Sequence, residues 1–272
     1  MKGKILYINQ ETYPYTTETE ISTFGRYLPQ LMQDHCDKEV RVFMPDFGNI
    51  NERKNQLHEV IRLSGLNIVI DNTDHPLLIK VASIPAARLQ VYFIDNDDYF
   101  HRKFDLFDEN GILFEDNPAR AVFYAHGVLE TIKKLSWKPN IIHCTGWFAS
   151  LVPFYIKRTA YKNNPYFSDA KVVLSIYDDK FEGCLSETIG RKLRHDGANR
   201  RDCEWYKEPN YLNLMKAAIN YSDGIVMASE KVDQTLIQYA KDSKKPVVDY
   251  APIPDIAEQI NNLYNSIIVE DD

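Results

Sequence analysis

The stretch PNIIHCTGWFASLVP, Pro139 to Pro153, places His143, Cys144 and Trp147 within five residues at the exit from an apolar run. A cysteine thiolate needs a nearby base or cation to form at neutral pH, so His143 and Cys144 together suggest a nucleophile pair. Neighbours on a strand point to opposite faces, however, and the pattern is better read as a buried thiol beside a hydrogen-bonded core histidine. Trp147 follows the strand, where open α/β sheets bind their ligands, although core packing is the leading reading for an aromatic residue there. A second tract, FIDNDDYFHRKFDLFDENG from Phe93 to Gly111, combines Asp95, Asp97 and Asp98 with Tyr99, Phe100 and Phe104. Carboxylates accept hydrogen bonds from sugar hydroxyls and aromatic rings cover the apolar faces of sugars, so this chemistry would suit a carbohydrate, although a charge run of this kind is more readily a solvated loop. Asp97 and Asp98 lack the spacing of a calcium loop, and Cys36, Cys144, Cys184 and Cys203 are scattered without metal-ligand or disulfide spacing. No metal is expected, and mostly buried, reduced thiols are. The loop NQETYPYTTETEISTFGRYLP, Asn9 to Pro29, has no glycine before Gly25 and carries Glu11, Glu18 and Glu20, which argues against a dinucleotide cofactor.

Short apolar runs alternating with segments of helical period must position these groups, and that alternation predicts an α/β fold: a Rossmann-like, mainly parallel sheet with helices on both faces. Strands are predicted at Lys4 to Ile8, Glu39 to Met44, Leu77 to Ile84, Leu89 to Ile94, Asn140 to Cys144, Lys171 to Tyr177, Gly224 to Ala228 and Pro246 to Tyr250, the third and fourth forming an antiparallel hairpin. Helices are predicted near Glu20 to His35, Asn117 to Leu135, Trp147 to Tyr161, Tyr211 to Tyr221, Lys231 to Ala240 and Pro254 to Ile267. The second should be capped by Asp116 or Asn117, with Pro118 opening it. No repeat, linker or low-complexity tract divides the 272 residues, so one domain over 1–272 is expected.

The formal net charge of -7 argues against nucleic acid or an anionic membrane as partner. No apolar run reaches the ~20 residues of a membrane helix, and no signal-peptide pattern opens the chain, which predicts a cytoplasmic protein.

Several segments, in order, resemble the N-terminal, acceptor-side half of bacterial glycogen synthases and plant starch synthases. They are the opening strand with Glu11 and Pro14, GRYLP (Gly25 to Pro29), VRVFMP (Val40 to Pro45), VYFID (Val91 to Asp95), the tract around Tyr99 and Arg102, FEDN (Phe114 to Asn117) with Arg120, PNIIH with Trp147, and KAAINYSDGIVMAS (Lys216 to Ser229). The resemblance, more narrowly to the single-half forms of Bacteroidetes, implies half of a GT-B glycosyltransferase. In that family the N-terminal half binds acceptor glucan, while the other half, for which no counterpart is expected within 1–272, holds most of the nucleotide sugar.

The resemblance also exposes departures. Thr17 stands where the family has the lysine of Lys-Thr-Gly-Gly-Leu; Thr145, Gly146 and Phe148 replace the polar members of His-Asp-Trp-His; Tyr177 and Asp178 replace a catalytic His-Asn. With the catalytic positions occupied by Thr17, Gly146 and Tyr177, the expectation is an accessory or regulatory module that lacks transferase activity alone. It would bind α-glucan or maltooligosaccharide through Glu11, Asp95, Tyr99, Trp147 and Tyr177, with a glycogen-metabolism protein or a second copy as further partner. The alternatives are a glycogen synthase subunit, transferring glucose from ADP-glucose to α-1,4-glucan with a separately encoded half, and a dimerisation or scaffold domain.

Overall fold

A computed structural model describes residues 3–268. The chain runs β1 (Lys4–Asn9), α1 (Glu20–His35), β2 (Glu39–Pro45), β3 (His58–Glu59), β4 (Leu66–Ile70), β5 (Thr73–Ile84), β6 (Leu89–Asp95), α2 (Asp97–Phe100), α3 (Asn117–Lys134), β7 (Ile141–Thr145), α4 (Val152–Arg158), β8 (Lys171–Ile176), α5 (Thr188–His195), α6 (Tyr211–Tyr221), β9 (Gly224–Met227), α7 (Gln234–Asp242), β10 (Val247–Val248) and α8 (Asp255–Ile267). The sheet order is β10-β9-β8-β7-β1-β2-β6-β5-β3, with β4 paired to β5. All pairings from β10 to β6 are parallel, and β5 returns antiparallel along β6, as the hairpin reading requires. The chain leaves β1 towards β2 on one side and returns as β7 on the other. The carboxyl ends of β1 and β7 therefore flank the topological switch point, where the two connections diverge and leave a crevice.

Alternation along the parallel strands sorts the helices. Tyr7 on β1 and His143 on β7 are register partners, and both meet Tyr264 of α8 on one face, with Phe24 of α1 against Tyr177 nearby. The opposite parity faces α3, whose Tyr124 hydroxyl donates to the carbonyls of Asn9 and Phe43. Helix α3 packs so closely on the sheet that a Cβ at Gly127 would lie 2.8 Å from Ile94.

The GRYLP segment shows how α1 is fixed to β1. Pro29 lies inside the helix and has no N–H, so the carbonyl of Gly25, four residues earlier, lacks its helical donor. The side-chain amide of Asn9 supplies one at 3.1 Å. Only glycine permits the approach: a Cβ at Gly25 would sit 2.5 Å from the Glu11 carbonyl oxygen and 2.9 Å from Asn9 Nδ2.

Some boundaries differ from expectation. Trp147 to Tyr161 is not one helix but a 3₁₀ turn, Trp147–Ala149, then α4, then a second 3₁₀ turn, because Gly146 at φ +81° and Pro153 interrupt regular winding. Asp116 is the N-cap residue of α3 but caps nothing with its side chain, which is held by Arg102 at 2.5 and 2.9 Å; Pro118 is the second helical residue. The strands β3 and β4 and helix α5 have short or mixed patterns and escaped the periodicity reading. Cys144 is buried as expected, but Cys184 is exposed, and all four cysteines are free. No helix among the described residues is long and apolar enough to cross a membrane.

Candidate functional site

A cleft of about 330 Å³ opens at the carboxyl ends of the central strands. Gln10 and Glu11 reach it from β1, Trp147 from β7, and Asp179 and Lys180 from β8, while Thr16, Thr17, Thr19 and Asp105 close its sides. Three carboxylates, Glu11, Asp105 and Asp179, face one cation, Lys180.

Glu11 is set by the start of α1. Thr19 caps that helix, its hydroxyl accepting from the N–H of Ser22 at 3.0 Å while Ser22 returns a bond to the Thr19 N–H. The same Thr19 hydroxyl donates to Glu11 Oε2 at 2.8 Å. A helix N-terminus is a natural anion site. Here the protein's own carboxylate stands beside it, held by the capping hydroxyl. Burial pushes the Glu11 carboxyl above its ordinary range, and Asp105 and Asp179 push the same way against hydrogen bonds from Thr19 and Gln10.

Asp179 organises the other wall. It accepts the backbone N–H of Trp147 at 2.8 Å and the Tyr211 hydroxyl at 2.7 Å, and burial raises its carboxyl despite both bonds. Trp147 is almost entirely buried, packed edge to face on Phe181 at 5.0 Å and on Phe148 at 5.6 Å. Trp147 lines the cleft, but its ring is packed into the core. The indole N–H makes no hydrogen bond among the described residues. Thr16 Oγ1, also buried without a partner, is a second unspent polar group there.

Gly146 explains the shape of the β7 exit. Its backbone, at φ +81° and ψ 162°, occupies a region that is essentially reserved for glycine. A Cβ would fall 2.7 Å from Gln10 Oε1 and 2.8 Å from Gln10 Cβ. That Oε1 accepts the N–H of Phe148 at 3.0 Å, so Gln10 occupies the space beside Gly146 that a side chain there would need.

The residues expected to bind glucan are thus only partly gathered. Glu11 and Trp147 meet in the cleft, beside Thr17 of the replaced catalytic positions. Tyr177 lies beneath it, buried against Phe24, its hydroxyl without a hydrogen-bond partner and its pKa raised by burial and then by Asp179 and Glu20. Asp95 is elsewhere: fully buried, it pairs with Lys80 at 2.7 Å and with His101 at 3.2 Å. Tyr99 spends its hydroxyl on His75 at 3.0 Å and packs on Phe123. Asp95, Asp97 and His101 lie near enough to one another to hold a metal ion, but Lys80 already neutralises Asp95.

His143 is a core histidine. Its Nδ1 meets the Tyr264 hydroxyl at 2.5 Å and its Nε2 meets Ser175 Oγ at 2.6 Å, while Tyr264 bonds Tyr7 at 3.1 Å. Desolvation lowers its pKa to about 3, so it is neutral, and burial raises the adjacent Cys144 thiol far above the range in which it would be a nucleophile. Arg120, noted in the sequence only as a motif match, is a buried guanidinium. It donates to the Tyr99 carbonyl at 2.7 Å and to Asn117 Oδ1 at 2.6 Å, lies within 6 Å of four phenylalanine rings, and leaves Nη2 without a partner. Burial lowers its pKa to about 10, still charged at neutral pH.

The family model described as the starch synthase catalytic domain matches residues 4–244. The chain belongs to that family. It is 31% identical over 242 residues to a glycogen synthase of Chlorobium limicola, covering 88% of this chain and 48% of the relative, and 33% identical over 239 residues to one of Chlorobium phaeobacteroides, covering 86% and 47%. This starch synthase family member therefore spans about half the length of the curated relatives it matches. In three dimensions it superposes on the catalytic domain of starch synthase IV from Arabidopsis thaliana, a structure bound to ADP and acarbose, with a TM-score of 0.71 at 15% identity, over 92% of this chain and 51% of that one. The fold is that of half a GT-B glycosyltransferase, as the starch synthase resemblance implied.

Proposed function

We propose that this chain binds a neutral α-glucan, such as a maltooligosaccharide, in the cleft between Glu11, Trp147 and Asp179, and that it does not transfer glucose by itself. One observation carries the reading: the Glu11 carboxylate is bonded to the Thr19 hydroxyl that caps α1, a negative charge beside the helix start where a phosphate would approach. An anionic nucleotide sugar would meet three carboxylates against the single cation Lys180, whereas a polyol finds acceptors in Glu11 and Asp105. The starch synthase fold supports the substrate class, and the glucan's partners in metabolism follow from that class. Calorimetric titration with maltoheptaose tests the site. Glu11→Gln should weaken binding about tenfold or more, the loss expected for a hydrogen bond to a charged acceptor; unchanged affinity would remove Glu11 from the site.

A second reading has this chain as an acceptor-binding subunit beside a separate nucleotide-binding half. The likeness to a starch synthase catalytic domain bound to ADP and acarbose supports it. Glucose incorporation from ADP-glucose by the chain plus lysate, but not by either alone, would establish it.

A further inference from the structure

A second cavity, of about 630 Å³, lies at the opposite end of the sheet. Its walls are the last residues of α4 (Lys157, Arg158) and α6 (Asn220, Tyr221), the turn into β9 (Ser222, Asp223), Lys245 ahead of β10, and Arg201, Asp202 and Trp205 from the segment after α5. These residues precede parallel strands, whereas the cleft is built from residues that follow them. In a chain of net charge -7, four cations here face only two carboxylates.

Most of those charges have structural duties. Lys245 donates to the carbonyls of Ile219, Asn220 and Ser222 at 2.5 to 2.8 Å, which neutralises the negative C-terminal end of α6. Lys157 holds Asp223 at 2.6 Å, and Arg158 Nε holds Asp202 at 3.1 Å while covering the Tyr221 ring. Two groups remain. Arg201 makes no hydrogen bond or ion pair with its side chain among the described residues, and Trp205 lines the same cavity with its indole N–H likewise unused. A guanidinium presents a fork of N–H groups matched to a phosphoryl group, and an indole face stacks on a sugar or a planar ring.

We infer that this basic cavity is a second binding site, separate from the cleft, for a phosphoryl group attached to a ring, with Arg201 taking the phosphoryl group and Trp205 the ring. A sugar phosphate and a nucleoside phosphate share that chemistry. Calorimetric titration of the full chain with glucose 1-phosphate, ADP and inorganic phosphate tests it. Saturable binding of either ring compound, tighter than inorganic phosphate and weakened about tenfold or more by Arg201→Gln, supports the site; whichever ring compound binds tighter names the source. Trp205→Leu should bring both ring compounds down to the affinity of inorganic phosphate. The inference does not depend on the glucan reading, because Arg201→Gln leaves maltoheptaose binding unchanged and Glu11→Gln leaves phosphate-ligand binding unchanged. Absence of saturable binding, equal affinity for inorganic phosphate, indifference to Arg201→Gln, or loss of binding in Glu11→Gln would each overturn it.

Discussion

Introducing a side chain at Gly146 tests whether the exit from β7 is closed to any residue but glycine. Gly146→Ala would force a non-glycine residue into the region at φ +81° and ψ 162°, which costs on the order of 1–3 kcal/mol. The new Cβ would also collide with Gln10 at 2.7 and 2.8 Å, displacing an amide whose bond to the Phe148 N–H contributes about 1 kcal/mol. The expected loss is about 2–4 kcal/mol, a fall in melting temperature of roughly 5–15 °C for a chain of this size. Urea denaturation read by tryptophan fluorescence measures it. The collision part depends on Gln10, so in a Gln10→Gly background the same substitution should be milder by about 1 kcal/mol or more. A Gly146→Ala protein within ~0.5 kcal/mol of the parent, or a penalty indifferent to Gln10, would refute this account.

Lys80 holds Asp46 at 2.9 Å, Glu52 at 2.9 Å and Asp95 at 2.7 Å, so Lys80→Met strands buried carboxylates and should destabilise by about 3–5 kcal/mol in urea titrations; a loss below ~1 kcal/mol would deny the cluster its role. His143 has its pKa lowered from 6.5 to about 3 by burial, so its contribution to stability is present above pH 6.5 and is lost as pH falls towards 3, on the order of 4 kcal/mol in all. His143→Leu should flatten the stability profile across that window. Glu11 is raised above its ordinary range by burial, so its contribution is present at acid pH and lost as pH rises through the folded value. Glu11→Gln should therefore be more stable than the parent at neutral pH and lose that advantage on acidification, as thermal melts against pH would show.

How much was legible in the sequence depended on how local each signal was. The parallel strands and α1, α3, α6 and α8 follow from apolar periodicity, because burial imposes that periodicity directly. The two residues of β3 and the mixed pattern of β4 carry no such signal. At the site, the end of an apolar run followed by Trp147 pointed to the switch point, and Glu11 and Trp147 both line the cleft there. Asp95 and Tyr99 looked like ligands because a carboxylate beside aromatic residues suits both a sugar site and a core. Only tertiary structure reveals that Lys80 and His75, fifteen and twenty-four residues earlier in the chain, have claimed them. Asp179 and Gln10 were missed for the same reason: their roles lie in bonds to Trp147 and Phe148, more than thirty residues away.

The central claim is that the cleft takes a neutral glucan and refuses the nucleotide sugar. Parallel titration of the purified chain with maltoheptaose and ADP-glucose, read by chemical-shift changes at the backbone amides of Glu11, Thr19 and Trp147, tests it most directly. The account predicts saturable shifts with maltoheptaose and none with ADP-glucose at those three amides. Shifts there with ADP-glucose, or silence with maltoheptaose at millimolar concentration, would contradict it.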